Sequence, residues 1–440
     1  MYRQENGVFQ EAVKRYNIPP AYKPYCIAVP SFSPSQTLEE VPAVNDMFHS
    51  HFSRFSASCR LRSCSRWLIT ALLLTLGTLG ITAQAQVPPA PQIVARGYIL
   101  QDFQSGSVLA ALNADQRMEP ASLTKLMTAY LVFDELRSGK IKLSDMVTIS
   151  EAAWRTEGSR TFAQVGTQIS VENLIKGMIV QSGNDATVAL AEQVAGTEPV
   201  FASMMNQRAQ ILGMTNTHFI NSTGLPDPQH YTTARDLATL ARAVIRDFPQ
   251  YYKWYSLREF TFNGITQHNR NLLLYRDPTV DGMKTGHTES AGFCLVSSAL
   301  RDKMRLISVV LGTESEKARA NESQTLLNYG FRFYETHRVY AANKPLTTVR
   351  AWKGAAENLP LGLSKDLYLT IPRGQYKKLA ASMSVTPLIT APVKKGQSYG
   401  TVAISLDGKV ISKQPLVALQ GIEEGGVWRR FVDWVLLLVK

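Results

Sequence analysis

Three short motifs hold the residues able to do chemistry: Ser122-Leu123-Thr124-Lys125, Ser182-Gly183-Asn184 and Lys284-Thr285-Gly286. Each pattern (Ser-x-x-Lys, Ser-x-Asn, Lys-Thr-Gly) occurs once in the 440 residues. A serine hydroxyl is a poor nucleophile at neutral pH until a base takes its proton. Three residues apart on a helix, Ser122 and Lys125 share one face and can meet. A lysine acts as that base only if its pKa falls, which burial and a nearby positive charge both promote, and Lys284 is a candidate for that charge. Ser122 follows Pro120 at an expected helix start, where the dipole and free N–H groups favour a developing oxyanion. Ser182 can relay a proton to a leaving amine, and Asn184 can hold a substrate amide. Lys284 and Thr285 offer an ammonium and a hydroxyl to a carboxylate, while Gly286 lets a backbone come close to a strand edge. Taken singly, the motifs have plainer accounts: a capping serine with a solvated lysine, an ordinary helix N-cap, and a strand-end turn. Their order and local context join them into one site in which lysine, not histidine, activates a serine.

The elements around the motifs must bring them together. Gly97–Gln101 and Ser107–Leu112 flank a Ser/Gly turn and read as a β-hairpin. Leu126, Met127, Tyr130, Leu131 and Phe133 give a helical apolar face that should end near Gly139. Further helices are expected at 171–181, 184–195, 199–212 and 233–246, then strands at 280–287, 292–300 and 304–311, and a helix at 322–336. Antiparallel strands at both ends with helices between them describe an α+β domain, a sheet covered by a helical cluster, over residues 92–345. From 346 to 420 short apolar runs broken by Pro and Gly (Leu367–Ile371, Ser384–Ile389, Tyr399–Leu406, Val410–Ile411, Leu416–Leu419) read as a small all-β domain.

Composition narrows the class. Hydrophobic content of 45% with 19% charged residues fits a folded globular chain. The formal net charge is +12, yet no basic stripe with interleaved aromatics and no nucleic-acid-binding motif accompanies it, so nucleic acid is not an expected partner. Arg60, Arg62 and Arg66 precede an apolar run from Trp67 to Ile81, and Ala83-Gln84-Ala85 supplies a small-residue cleavage site. Residues 1–85 therefore read as a leader with a signal peptide, cleaved before Gln86, with translation starting at Met1 or at Met47. Cys26, Cys59 and Cys64 would leave with it; Cys294 alone remains, between apolar neighbours that suggest a buried, inert thiol. No cofactor or metal is expected.

The motifs resemble those of the low-molecular-mass penicillin-binding proteins, the serine-type D-alanyl-D-alanine carboxypeptidases. The resemblance runs over roughly 92–440. Pro120 to Thr128 is similar to the nucleophile segment, Asn221-Ser222-Thr223-Gly224-Leu225-Pro226 to a loop of the helical region, and Val280 to Thr288, followed by Ala291-Gly292-Phe293, to the third motif. The resemblance implies a penicillin-binding-protein/β-lactamase-like transpeptidase domain. It also implies Ser122 as nucleophile, Lys125 as base, Ser182 and Asn184 as relay and amide holder, and Lys284 with Thr285 on the terminal carboxylate. Backbone N–H groups of Ser122 and His287 would form the oxyanion hole, and Arg270 and Arg319 match arginines near the site. Peptidoglycan stem peptides are then the substrate and β-lactams covalent inhibitors. A β-lactamase is the nearest alternative, opposed by Gly183 in place of aspartate and by the lack of a Glu-x-x-Leu-Asn stretch; a non-catalytic wall-binding protein is a third, opposed by the intact motifs.

The last residues, 425–440, form a separate unit. From Trp428 to Lys440 the polar residues Arg429, Arg430, Asp433 and Lys440 fall in a narrow arc, with Trp428, Phe431, Trp434, Leu436 and Leu438 on the remainder. The segment is too short to span a bilayer, so an amphipathic helix lying in a membrane surface is expected. The enzyme would then be exported and held on the outer face of the cytoplasmic membrane, and family resemblance points the same way.

Overall fold

The computed structural model describes residues 87–439. The leader, its cleavage site, the alternative start and Cys26, Cys59 and Cys64 lie outside the described residues. Strands β1 (Gly97–Asp102) and β2 (Val108–Leu112) form the expected hairpin. A 3-10 turn (Ala121–Thr124) runs straight into helix α1 (Lys125–Ser138), which Gly139 closes in the left-handed conformation. β3 (Met146–Thr148) and β4 (Gln168–Ser170) make a small ribbon, followed by α2 (Val171–Val180), α3 (Asn184–Ala195), α4 (Glu198–Leu212) and α5 (Ala234–Asp247). α3 is buried from Asn184 to Ala191, which places it at the centre of the helical cluster.

β5 (Glu259–Phe262) and β6 (Ile265–His268) form a second hairpin around Asn263-Gly264, both with positive φ. The Asn-Gly pair is a strong hairpin signal that the alternation of neighbouring residues did not bring out. β7 (Val280–Thr288), β8 (Gly292–Arg301) and β9 (Met304–Thr313) complete a five-stranded sheet of order β2-β1-β9-β8-β7. β9 is buried at every position from Leu306 to Leu311, so both sheet faces are covered, and α5 and the long helix α6 (Glu316–Phe333) pack on it. Cys294 lies buried and free in β8, where burial raises its thiol pKa to about 11.

α6 starts six residues before the expected 322 because Ser315 caps it, its Oγ accepting from Ala318 N at 3.0 Å. It stops at Phe333 because Tyr334 turns to extended backbone and opens β10 (Tyr334–Tyr340). The remaining strands are β11 (Pro345–Trp352), β12 (Asn358–Gly362), β13 (Leu367–Pro372), β14 (Leu379–Val385), β15 (Ile389–Thr390), β16 (Ser398–Leu406) and β17 (Lys409–Ala418). β10 pairs with β13; the others form a sheet of order β14-β16-β17-β12-β11-β15. The all-β layer thus draws in chain from Tyr334, upstream of the composition shift at 346. The runs Val410–Ile411 and Leu416–Leu419 belong largely to one strand, β17, joined by half-buried Ser412 and Gln414 alternating with exposed Lys413 and Pro415.

Buried Asp102 ties the two parts together, its Oδ1 accepting from Ser105 N and Oγ and its Oδ2 from Thr336 Oγ1 at 2.7 Å. The chain ends in α7 (Val427–Leu438). Its Asp433 is only 2% exposed, accepting from Arg350 Nη2 at 2.8 Å and from Lys353 N at 2.6 Å. Gly425 N donates to Lys353 O at 2.8 Å, so the Gly425-Gly426 pair is tied to the β-layer rather than a free hinge. Asp433, Arg429 and Arg430 therefore face protein, the arginines toward Glu357 and Glu424, while Trp428, Phe431, Trp434, Leu436 and Leu438 remain exposed.

Candidate active site

The three motifs converge. The 3-10 turn before α1 carries Ser122, the loop between α2 and α3 carries Ser182, and β7 carries Lys284 to His287. β7 is the edge strand of its sheet, so one of its two backbone edges is left for the cleft. Ala121 (φ +48°) and Ser182 (φ +66°) both adopt left-handed backbone without being glycine. Such residues cost about 1–3 kcal/mol each and are held only where the surroundings over-determine them. Here the two strained residues sit beside or at the reacting groups.

A cleft of about 360 Å³ is lined by seven of the ten candidate residues: Ser122, Ser182, Arg270, Thr285, Gly286, His287 and Arg319. Larger clefts elsewhere hold none of them. The other three, Lys125, Asn184 and Lys284, lie behind the wall and are buried. Gly158, Ser159, Phe293 and Glu316 also line the cleft, and no sequence signal had pointed to them as a group.

Lys125 Nζ is 3.0 Å from Ser122 Oγ, 2.7 Å from Asn184 Oδ1 and 2.7 Å from Thr223 O. Burial and then the nearby Arg270 guanidinium bring its pKa from 10.5 down to about 7, with Glu198 and Asp185 pulling the other way. The second charge on Lys125 is thus chiefly Arg270, where the motifs alone suggested Lys284. Lys284 is itself held well below the ordinary lysine value by burial, then by Lys125, Arg270 and Arg319. A neutral lysine has two N–H bonds and one lone pair. With Asn184 Oδ1 and Thr223 O accepting the two protons, the lone pair is left facing the Ser122 hydroxyl.

Asn184 is engaged within the protein: Oδ1 accepts from Lys125 and Nδ2 donates one N–H to Glu157 O, while its backbone N donates to Ser159 O at 2.7 Å. The sequence reading gave it a substrate amide to hold; the structure puts it between the base and the loop 156–163. Its neighbour Asp185 pins the same loop, accepting from Thr161 N (2.8 Å) and Ala163 N (3.0 Å). Gly183 is at ordinary φ (−56°), yet a Cβ there would lie 2.0 Å from Thr161 Oγ1 and 2.9 Å from Thr161 N. This close packing is the physical reason for glycine between Ser182 and Asn184. Ser182 Oγ is buried with no hydrogen-bond partner among the described residues, a donor and acceptor left over at the cleft wall.

The carboxylate clamp also differs from its sequence outline. Lys284 Nζ donates to Thr285 O at 2.9 Å and is not a cleft-lining group. Arg270 and Arg319 are, together with Thr285. Arg319 is held by Gly286 O (3.2 Å) and by Glu316 (3.0 Å), with its guanidinium over the Phe293 ring. The His287 ring stacks on Phe293 with centroids 4.0 Å apart. The space a Cβ on Gly286 would need is taken by the nucleophile's own turn, with Pro120 O at 3.0 Å, rather than reserved for substrate.

Two groups behind the site support it: the Asn221–Pro226 loop, whose family likeness carried no role in the sequence, and His230, which no motif contains. The Asn221–Pro226 loop is an Asx turn: Asn221 Oδ1 accepts from Gly224 N at 2.7 Å and from Thr223 N at 3.2 Å, which orients the Thr223 carbonyl used by Lys125. Gly224 has φ +87°, and a Cβ there would meet Ala121 O at 1.8 Å, so only glycine lets this loop lie against the nucleophile turn. His230, held neutral with a pKa of about 4 by burial, hydrogen-bonds Thr124 Oγ1 at 2.9 Å. Among the described residues no group of three or more His, Cys, Asp or Glu is arranged to hold a metal ion.

With this geometry in place, comparison with known proteins is direct. Residues 82–315 match the D-alanyl-D-alanine carboxypeptidase peptidase family, and residues 334–424 match the C-terminal domain of penicillin-binding protein 5. The chain is 48% identical to D-alanyl-D-alanine carboxypeptidase DacC of Escherichia coli (strain K12) over 363 residues, 81% of this chain and 91% of that protein. It is 44% identical to DacA of the same organism over 379 residues, 84% of this chain and 94% of that protein. The crystal structure of penicillin binding protein 5 from Haemophilus influenzae superposes with a TM-score of 0.75 at 46% identity, covering 77% of this chain and all of that one.

Proposed function

This chain belongs to the serine-type D-alanyl-D-alanine carboxypeptidase family, and from that premise we propose that it removes the terminal D-alanine of peptidoglycan stem pentapeptides through an ester on Ser122. The carrying observation is Lys125 Nζ, buried, 3.0 Å from Ser122 Oγ, with its other two directions taken by Asn184 and Thr223. Ser122 Oγ attacks the penultimate D-Ala carbonyl and its proton passes to Lys125. The Ser122 N–H, at the start of its 3-10 turn, and the His287 N–H, on the edge strand, stabilise the oxyanion. The C–N bond breaks as the proton held by Lys125 is relayed through the Ser182 hydroxyl to the departing amine, which leaves as D-alanine. Lys125, neutral again, takes a proton from the water that attacks the ester, and that proton returns to Ser122 Oγ as the acyl group leaves. The same attack on a β-lactam ring leaves its amine tethered to the acyl group, so the enzyme carries the drug covalently.

The substrate's terminal carboxylate meets Thr285 and the guanidinium groups of Arg270 and Arg319. Lys284, one layer back, is buried and donates to the Thr285 carbonyl, which holds the strand that carries Thr285 against the cleft. Asn184 acts on the base and the loop, as its two amide bonds imply. A β-lactamase is not favoured: the matched peptidase family is that of D-alanyl-D-alanine carboxypeptidases, and Thr161 leaves no room for an aspartate at 183.

The enzyme works beyond the cytoplasmic membrane, attached to its outer face through α7. What supports this is the exposed Trp/Phe/Leu face of a helix whose Asp433, Arg429 and Arg430 already face protein. Burial of each large apolar side chain is worth ~1.5–3 kcal/mol, enough for interfacial binding. No helix among the described residues is long and apolar enough to cross a membrane.

The test of the reaction is fluorescent penicillin labelling together with D-alanine release, on wild type and Ser122→Ala. Both signals should vanish in the variant while thermal unfolding stays within ~0.5 kcal/mol, as for a surface substitution. Label retained on Ser122→Ala would place the nucleophile elsewhere; rapid loss of label from wild type would favour the β-lactamase.

A further inference from the structure

The base is gripped from the side away from substrate. Thr223 O takes one proton of Lys125, and the carbonyl one residue earlier, Ser222 O, accepts from Thr128 Oγ1 at 2.7 Å. Thr128 sits one helical turn after Lys125, so α1 holds the 222–223 backbone at two points. The opposite side of that backbone is held by Glu198, at the first turn of α4. Its Oε1 accepts from Ser222 N at 2.9 Å and from Ser222 Oγ at 2.5 Å, and Ser222 is fully buried. None of the three motifs contains Glu198, and it does not line the cleft.

We propose that Glu198 is a positioning residue for the base: it braces Ser222, the residue next to the one whose carbonyl orients the Lys125 amine, and its charge sets how readily that amine holds a proton. The inference rests on Lys125 being the base. The charged and titratable groups facing Lys125 are Arg270 from the loop before the 273–276 turn, Lys284 from β7, Asp185 from α3, Glu198 from α4 and His230 from the segment before α5. His230 is neutral near pH 7. Arg270 favours the neutral amine, whereas Glu198 and Asp185 favour the ammonium. Asp185 is already committed to three backbone N–H groups, of Thr161, Ala163 and Ala186. Glu198 is the acid that holds Ser222, the residue adjoining the Thr223 carbonyl that the lysine uses.

The sign follows. Removing the Glu198 charge lets the amine lose its proton at lower pH, so the acid limb of acylation should move to lower pH. Acylation by a chromogenic β-lactam is measured from pH 5 to 9 on the full chain, for wild type, Glu198→Gln and Glu198→Ala, with thermal unfolding of each. Glutamine keeps an acceptor for Ser222 and loses only the charge: its acid limb should fall by about half a pH unit or more, with the high-pH plateau kept. Alanine loses the brace as well, and its plateau should fall about tenfold, the usual scale for a misplaced catalytic group. A merely structural glutamate would lower stability and plateau without moving the limb. A wild-type limb near pH 7 that stays in place in Glu198→Gln therefore overturns this proposal and leaves the base assignment standing. A wild-type rate with no limb between pH 5 and 9 overturns the base assignment and this proposal with it.

Discussion

Gly183→Ala isolates the fit between the second motif and the loop that walls the cleft. Gly183 has φ −56° and ψ 118°, which alanine adopts freely, so no backbone strain enters. The added methyl would stand 2.0 Å from Thr161 Oγ1, 2.9 Å from Asp185 Oδ1 and 2.9 Å from Thr161 N. Contacts under 3 Å with a hydroxyl and a backbone nitrogen cannot all be relieved by one side-chain rotation. Overpacking of this kind costs typically ~1–3 kcal/mol. If the loop backs away, the Thr161 N–Asp185 bond is lost too, a charge-assisted bond worth ~1.5–3 kcal/mol. The expected cost is then ~1–3 kcal/mol with the loop in place and ~2.5–6 kcal/mol if it detaches. Thr161→Ala removes the 2.0 Å contact and leaves the 2.9 Å ones. The double variant should therefore recover ~1–2 kcal/mol relative to the sum of the singles, a coupling of the size found between residues in contact. Urea unfolding of the four proteins reads the cycle. The acylation rate follows the same order, because Glu157 and Ser159 on this loop hold Asn184 and hence the base. Additivity within ~0.5 kcal/mol, the behaviour of distant independent sites, would refute the claim that Thr161 is what excludes a side chain at 183.

Other perturbations bear on the clamp and the tail. Arg319→Ala should slow substrates with a free terminal carboxylate far more than the matching amides, by the ~1.5–3 kcal/mol of a charge-assisted contact; Lys284→Ala should slow both alike, because Lys284 Nζ faces Thr285 O rather than the cleft. The reverse pattern, read from kcat/KM on paired peptides, would return the carboxylate to Lys284. Deleting 425–440 should release the protein from membranes with soluble activity intact, since every motif lies far upstream; retention in the membrane pellet would move the anchor elsewhere. Asp433→Ala should instead keep membrane binding while cleavage by added protease near Gly425-Gly426 quickens about tenfold or more, the lost bonds to Arg350 and Lys353 N being charge-assisted; unchanged cleavage would mean the helix is held by other contacts.

The sequence by itself determined the chemistry and the gross order of elements. Ser122, Lys125, Ser182 and Lys284-Thr285-Gly286 are legible as candidates because the proposed chemistry needs particular side chains at particular spacings. The helices at 171–181, 184–195 and 233–246 and the strands of the main sheet are legible because burial imposes a period on apolar residues. The start of α6 was missed because a single capping serine, Ser315, carries it without periodicity, and β5–β6 because its strands are short and largely exposed. Tertiary structure alone decided what surrounds Lys125. Its third partner is a backbone carbonyl at Thr223, about 100 residues away, and carbonyls leave no trace in residue type. Its main depressing charge is Arg270 rather than the lysine of the neighbouring motif, since field strength depends on distance and burial that spacing along a chain cannot supply. The same holds for α7: the alternation of its residues foretold two faces, but only the contact of Asp433 with Arg350 shows which face the protein itself takes.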